Sequence, residues 1–154
     1  LRLRAMKTFY NHPFTFVLMF FFLSIGCSEE QRGGPREETT PITGVVLVDG
    51  KPAADLQVKA IPENPEGVTE LLPIAGFTDP EGKFSLSTYE SGDGAPEGDY
   101  KLIFMWGQRS LMRGGYGAPD KLKKKYLDPK KSEYSVKVVK GTPNDMGTIE
   151  LKTN

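Results

Sequence analysis

Few side chains in these 154 residues have the chemistry of a nucleophile, a proton shuttle or a transition-metal ligand. Cys27 is the sole thiol and His12 the sole imidazole, so residues 28–154 contain neither. Ser-His-Asp and Cys-His catalysis need an imidazole, and zinc sites draw on histidine or cysteine. What remains is carboxylates, ammonium groups and aromatic rings. Glu90, Asp93, Glu97 and Asp99 crowd the stretch ESGDGAPEGD. Oxygen ligands of this kind suit Ca²⁺, but the spacing is not that of an EF-hand loop, and a long turn demands the same Gly- and Asp-rich composition. No metal ligand and no cofactor is assigned. Arg113-Gly114-Gly115-Tyr116-Gly117 has the glycines of a phosphate cradle. It lacks the Gly-Lys-Ser/Thr ending and the strand-to-helix setting, so it reads as a loop tip. Lys121, Lys123, Lys124 and Lys125, followed by Lys130 and Lys131, form the densest basic run. Its functional reading is contact with anionic lipid headgroups or an acidic glycan, and its plain reading is a solvated loop or helix face. Trp106, Tyr116 and Tyr126 are the candidates for stacking on a sugar ring. At the end of an alternating apolar strand, Trp106 reads more simply as core.

The elements that would carry these groups begin with a targeting segment. From Phe14 to Ile25 the chain is uncharged and almost wholly apolar. Roughly a dozen residues fall short of the ~20 that span hydrocarbon as a helix. A basic start, a short apolar region and small residues before a polar stretch together make a secretory signal over residues 1–26. Met6 is the expected start, because Leu1 to Ala5 adds only apolar, basic and small residues. Leu23-Ser24-Ile25-Gly26-Cys27 closes the run and resembles a bacterial lipobox. That resemblance implies cleavage before Cys27 and attachment of lipid to it, which uses the one thiol an exported chain would otherwise expose. Each buried methylene contributes about 0.8 kcal/mol, so two or three acyl chains would make release from the membrane negligible. Ser28, rather than Asp, follows the cysteine, which by analogy with lipoprotein sorting implies the outer membrane.

Residues 1–26 hold Arg2, Arg4, Lys7 and no acid, so 17 of the 20 basic side chains remain against 20 acidic ones. That balance argues against nucleic acid as a partner, for which a basic excess supplies the affinity. After Cys27, SEEQRGGPREETTP has no apolar residue before Ile42 and is expected to be a flexible tether over 27–41. The remainder, 42–154, has the length of one small domain.

The domain's pattern has a period of two. Ile42–Val48 stops at Asp49-Gly50-Lys51-Pro52, where Asp-Gly supplies the positive φ of a tight hairpin. Strands are expected at 56–61, 74–77, 83–87, 98–106, 134–140 and 148–152. Thr78-Asp79-Pro80-Glu81-Gly82 joins two of them. Tyr100, Leu102, Phe104 and Trp106 share one face of the 98–106 strand, and Ile103 and Met105 the other, as in a central strand. Only Asp120 to Leu127 is expected to form more than a turn of helix. About seven short strands with Gly/Pro turns indicate an all-β sandwich.

Asp49-Gly50-Lys51-Pro52, Thr78-Asp79 with Gly82 and Phe84, and Gly98 with Tyr100 resemble the motifs of carboxypeptidase regulatory-like, or transthyretin-like, domains. The likeness covers 42–106 well and implies a Greek-key sandwich of the transthyretin (prealbumin) type. These motifs are turn and core chemistry, so they speak to fold and not to activity. A lipid-anchored, non-enzymatic envelope protein with a structural or interaction role is the resulting expectation, with an envelope protein or polysaccharide as partner. A cell-surface carbohydrate-binding module is the alternative. Hydroxyisourate hydrolases share the fold, but that family depends on histidines and a terminal Tyr-Arg-Gly-Ser. Here the last residues are Leu151-Lys152-Thr153-Asn154.

Overall fold

The computed structural model describes residues 36–64, 73–110 and 115–154. The chain divides into two units, Leu1–Gly34 and Pro35–Asn154, and the second is described here. The signal segment, the lipobox Leu23 to Gly26 and Cys27 lie outside the described residues, as do Arg113 and Gly114.

The described chain is all-β. Its strands are β1 (Thr39–Thr40), β2 (Ile42–Val48), β3 (Lys51–Pro52), β4 (Gln57–Pro62), β5 (Ile74–Phe77) and β6 (Lys83–Ser85). They continue with β7 (Ala95–Pro96), β8 (Gly98–Met105), β9 (Gln108–Ser110), β10 (Gly115–Gly117), β11 (Ser135–Val138) and β12 (Asn144–Leu151). One sheet has the order β11-β8-β4-β5, antiparallel throughout. The other is built on β2. β12 lies parallel along one of its edges, and β3 and β6 share the opposite edge, against Leu47–Val48 and Thr43–Val45 respectively. The short pairs β1·β7 and β9·β10, and the parallel β2·β12 pairing, are features that residue alternation alone did not reveal.

Alternation builds a single core from the inner faces of both sheets. Ile42, Val46, Val48, Ile149 and Leu151 come from one, and Val58, Ala60, Leu102, Phe104, Val136 and Val138 from the other. Each large side chain so buried contributes roughly 1.5–3 kcal/mol. Phe84 packs down onto Gly44, where a Cβ would stand 2.8 Å from its ring. β8 is interior to its sheet, with Tyr100, Leu102 and Phe104 buried and Ile103 and Met105 half-buried on the outer face. The fold begins earlier than 42. Thr40 is buried, Thr39 and Thr40 pair with Pro96 and Ala95, and Glu37 N donates to the Tyr89 hydroxyl (3.2 Å). Residues 36–41, expected within the tether, therefore belong to the domain.

The turns follow their side chains. Asp49 and Gly50 both have positive φ (51° and 76°), as a two-residue hairpin needs. The Asp49 carboxylate accepts from Thr153 N (3.2 Å) and Thr153 Oγ1 (2.6 Å). In the 78–82 turn, Asp79 Oδ1 accepts from Glu81 N (3.0 Å) and Lys83 N (2.8 Å). Gly82 sits at φ 79° with its Cβ direction blocked by Val46 O at 2.5 Å, so only glycine fits. Thr78, 4% exposed, accepts from Leu56 N (2.8 Å) and donates to Ala53 O.

The segment 120–127 is not the helix its composition suggested. Asp120 accepts from Trp106 N (2.9 Å), Leu122 N (3.0 Å) and Lys124 N (2.8 Å), so its carboxylate takes the Lys124 amide that a helix would pair with Asp120 O. Leu122 is fully buried, and Lys123 and Lys124 turn left-handed at φ 56° and 63°. For residues with a Cβ that conformation costs roughly 1–2 kcal/mol each.

Two outcomes follow. Thr78→Val leaves Leu56 N and Ala53 O without their partner and is expected to lower stability by about 1–3 kcal/mol, read as a lower urea midpoint at unchanged slope. Thr153, through its hydroxyl first and its amide second, holds the Asp49 carboxyl below its ordinary 3.8. A depressed folded-state pKa contributes stability above 3.8 that is lost as pH falls through the folded value. Asp49→Asn should therefore melt lower than wild type at neutral pH, with the gap closing in melts below pH 3.8.

Candidate functional site

Several of the chemically capable residues gather where β8 ends. At Met105 the chain leaves the sheet, and Gly107 passes close under the β9·β10 hairpin, its Cβ direction 2.2 Å from Gly117 O. The hairpin carries Tyr116 back to the end of β8 and to the Ala54-Asp55 corner. The Tyr116 hydroxyl accepts from Gly107 N (2.7 Å) and donates to Asp55 O (2.6 Å), with Met105 O also near it at 3.1 Å. Its ring stands edge-on to Phe77, with centroids 4.9 Å apart. Arg109 lies over the other aromatic partner, its Cζ 4.7 Å from the Phe77 ring centre, and its Nε is 3.8 Å from Asp55. Burial pushes the Tyr116 phenol above its ordinary 10.0, against the pull of its amide hydrogen bonds. It is a neutral hydroxyl used as a brace.

Trp106 is half-buried beside it. The indole Nε1 donates to Ala54 O at 3.0 Å, and Lys121 Nζ sits 4.2 Å from the ring centroid. An ammonium over an indole face gains about 0.5–1 kcal/mol at a surface site. Trp106 thus joins core packing and surface, with its polar atom committed to the backbone.

Tyr126 lies elsewhere, on the sheet edge beyond the lysine turn. Its carbonyl accepts from Phe104 N (3.0 Å), and its ring is edge-on to Phe104 at 6.4 Å. Its hydroxyl accepts from Lys152 N (3.0 Å), just past the end of β12 in the opposite sheet. Tyr134 does the same one step along: its ring is 5.3 Å from Phe104 and its hydroxyl donates to Glu150 O at 3.0 Å. The two tyrosines tie the sheets together across their open edge. Tyr134 was not among the singled-out residues; its pairing with Tyr126 on either side of DPKKSE was the available signal. The three proposed stacking residues therefore form no common platform. Trp106 and Tyr116 brace one corner, and Tyr126 bridges the sheets.

The acidic stretch is largely a folded turn. Both oxygens of Asp93 are occupied: Thr88 N donates to one at 2.7 Å, and Tyr89 N and Glu90 N to the other at 2.9 and 3.0 Å. Gly94 has a positive φ of 85°, its Cβ direction filled by Thr40 O. Glu90 pairs with Arg36 at 3.2 Å, and Glu97 and Asp99 are exposed. An open groove of about 310 Å³ lies here, lined by Arg36, Glu37, Glu38, Tyr89, Glu90 and Asp93 with Thr39. Among the described residues no three His, Cys, Asp or Glu side chains converge as a metal site.

No family model matches the sequence, and no curated protein matches it. Among solved structures it is similar to a 9R-lipoxygenase from Cyanothece (16% identity, TM-score 0.38, covering 77% of this chain and 17% of that one). It is also similar to a DUF3823 family protein from Parabacteroides merdae (14% identity, TM-score 0.38, covering 76% and 46%). A third likeness is to an (S)-allantoin synthase (13% identity, TM-score 0.41, covering 76% and 42%). The chain spans less than half the length of each of these, and likenesses at these scores carry no functional argument. The all-β architecture accordingly rests on this chain's own two sheets and shared core.

Proposed function

We propose that this chain is a lipid-anchored, non-enzymatic protein of the bacterial envelope, probing or joining other macromolecules through one end of a transthyretin-like sandwich. The lipobox resemblance at Leu23 to Cys27 supports the anchor, and Ser28 supports the outer membrane as its destination. The observation that carries the non-enzymatic reading is what the polar groups at the end of β8 do. The Trp106 indole N–H, the Tyr116 hydroxyl and the Asp120 carboxylate are each committed to backbone partners. They shape a surface and leave no activated group among them, and residues 28–154 carry no imidazole or thiol. The resemblance of Asp49 to Pro52 and of Thr78, Asp79 and Gly82 to carboxypeptidase regulatory-like motifs supports the sandwich part of this reading, as turn chemistry.

A carbohydrate-binding reading stands second. It is favoured by the half-buried Trp106 ring with an ammonium above it, and in this geometry Trp106 would be its principal stacking residue. On a glycan array, Trp106→Ala should then abolish the signal of the wild-type chain; equal signals, or none from wild type, end that reading.

The anchor is tested by mass spectrometry of the chain recovered from a diderm host. The expected N-terminus is an acylated Cys27, absent from Cys27→Ser. A mature chain that starts elsewhere, or one without acyl mass, overturns the anchor, and substrate turnover by the purified protein overturns the non-enzymatic reading.

A further inference from the structure

We infer that β11 is a self-association edge, at which two copies of this chain pair antiparallel about Ser135 and join their β11-β8-β4-β5 sheets into one. Tyr134 O accepts from Leu102 N at 2.9 Å, and Val136 and Val138 continue the same register against Tyr100 and Gly98. Bonded pairs alternate in an antiparallel ladder, so the main chain of Tyr134, Val136 and Val138 is the part that bonds to β8. The N–H and C=O groups of Glu133, Ser135 and Lys137 point the other way, out of the sheet's edge. Among the described residues no hydrogen bond is made to them.

The other sheet edges are closed or short. At β5, Ala75 N donates to Ser87 O (3.1 Å) and Ser87 N to Ala75 O (3.0 Å), and Ser85 O fills the Cβ direction of Gly76. At β12, Tyr134 donates to Glu150 O and Lys152 N donates to Tyr126. A bulge with Gly147 at φ 61° also breaks that strand's register between Asp145 and Thr148. β3 and β6 are two and three residues long. Such devices blunt edges that would otherwise template pairing with another chain. Among the described residues β11 carries only the charge of Lys137.

Charge selects a second copy as the occupant. Glu133, Ser135, Lys137 and Val139 are exposed, and Val136 and Val138 between them are buried. With Ser135 facing the partner's Ser135 across a two-fold axis, Glu133 faces the partner's Lys137 and Lys137 the partner's Glu133. An axis at Lys137 would set two ammonium groups against each other, and one at Val136 would leave both charges opposite neutral residues. Opposite charges facing across strands favour a register, and like charges exclude it. Among the described residues neither Glu133 nor Lys137 has an ion-pair partner, although Asp99 lies across the ladder from Lys137. Serine at the axis adds no bulk to the crossing. Each opposed pair exchanges both N–H···O bonds, so the main chain supplies affinity and the charges supply specificity. The stretch 133–137 is its own complement, and so short a seam makes a weak dimer.

The test is cysteine cross-linking of the full chain carrying Cys27→Ser, in which an introduced cysteine is the one thiol. Opposed Cα atoms of a bonded antiparallel pair lie about 5.5 Å apart, within disulfide reach. Ser135→Cys should therefore give covalent dimer when oxidised with copper–phenanthroline in nonionic detergent. Val139→Cys is exposed on the same edge but far out of register with its own copy, and should give at least about tenfold less. In the Ser135→Cys chain, Glu133→Lys or Lys137→Glu should each cut the yield about tenfold, because both facing pairs become like-charged. The double exchange Glu133→Lys/Lys137→Glu should restore it, which a folding defect would not allow. Equal yields from the two cysteines, no dimer from Ser135→Cys, or a yield indifferent to the charge reversals would overturn the proposal. None of these readouts depends on the lipid.

Discussion

Between β3 and β4 the chain leaves one sheet and enters the other, and for four residues no strand pairs its carbonyls. Peptide groups without partners are costly where they are buried, as at Ala53 and Leu56, so this crossing sets the terms for what surrounds it. Each carbonyl finds a donor. Ala53 O takes the Thr78 hydroxyl, Ala54 O the Trp106 indole, Asp55 O the Tyr116 hydroxyl and Leu56 O the Thr78 amide. Three separate stretches of sequence thus converge on one corner. Asp55, turning left-handed at φ 57°, marks where the path bends most sharply.

That constraint explains why the aromatic residues at the end of β8 are where they are. A tryptophan and a tyrosine offer long, rigid side chains with a single polar tip, suited to reaching a backbone carbonyl that no strand pairs. With the tips so placed, the Trp106 ring carries Lys121, and Phe77, edge-on to Tyr116, carries Arg109. The charged surface is in this sense a by-product of closing the backbone beneath it. At the other edge, Tyr126 and Tyr134 perform the equivalent task between sheets, each using Phe104 as a common packing surface.

The strands of the sandwich were legible because alternation is a local property. Leu56, Val58 and Ala60 announce an inner face in six residues, and Asp49-Gly50 announces its hairpin in two. The 120–127 segment misled for the opposite reason. Its Leu and Lys content favours helix, and the competing claims come from Trp106 N and the core around Leu122, which are distant in sequence. The same distance hid the roles of Trp106 and Tyr116. Their ring types were visible as possible sugar platforms, but the carbonyls they serve lie some fifty and sixty residues earlier.

The parallel pairing of β12 with β2 joins Leu151 to Val48 and Asn144 to Ile42 across about a hundred residues. Loop closure over such a separation is slow and cannot begin before β12 exists. Until then, one full edge of the β2 sheet and the inward side chains Ile149 and Leu151 are missing from the core. β12 works as a latch, shut only once the chain through Leu151 is in place. Short of that step the β2 edge stays unpaired and open to other strands, so the sandwich acquires its rigid form in one late event.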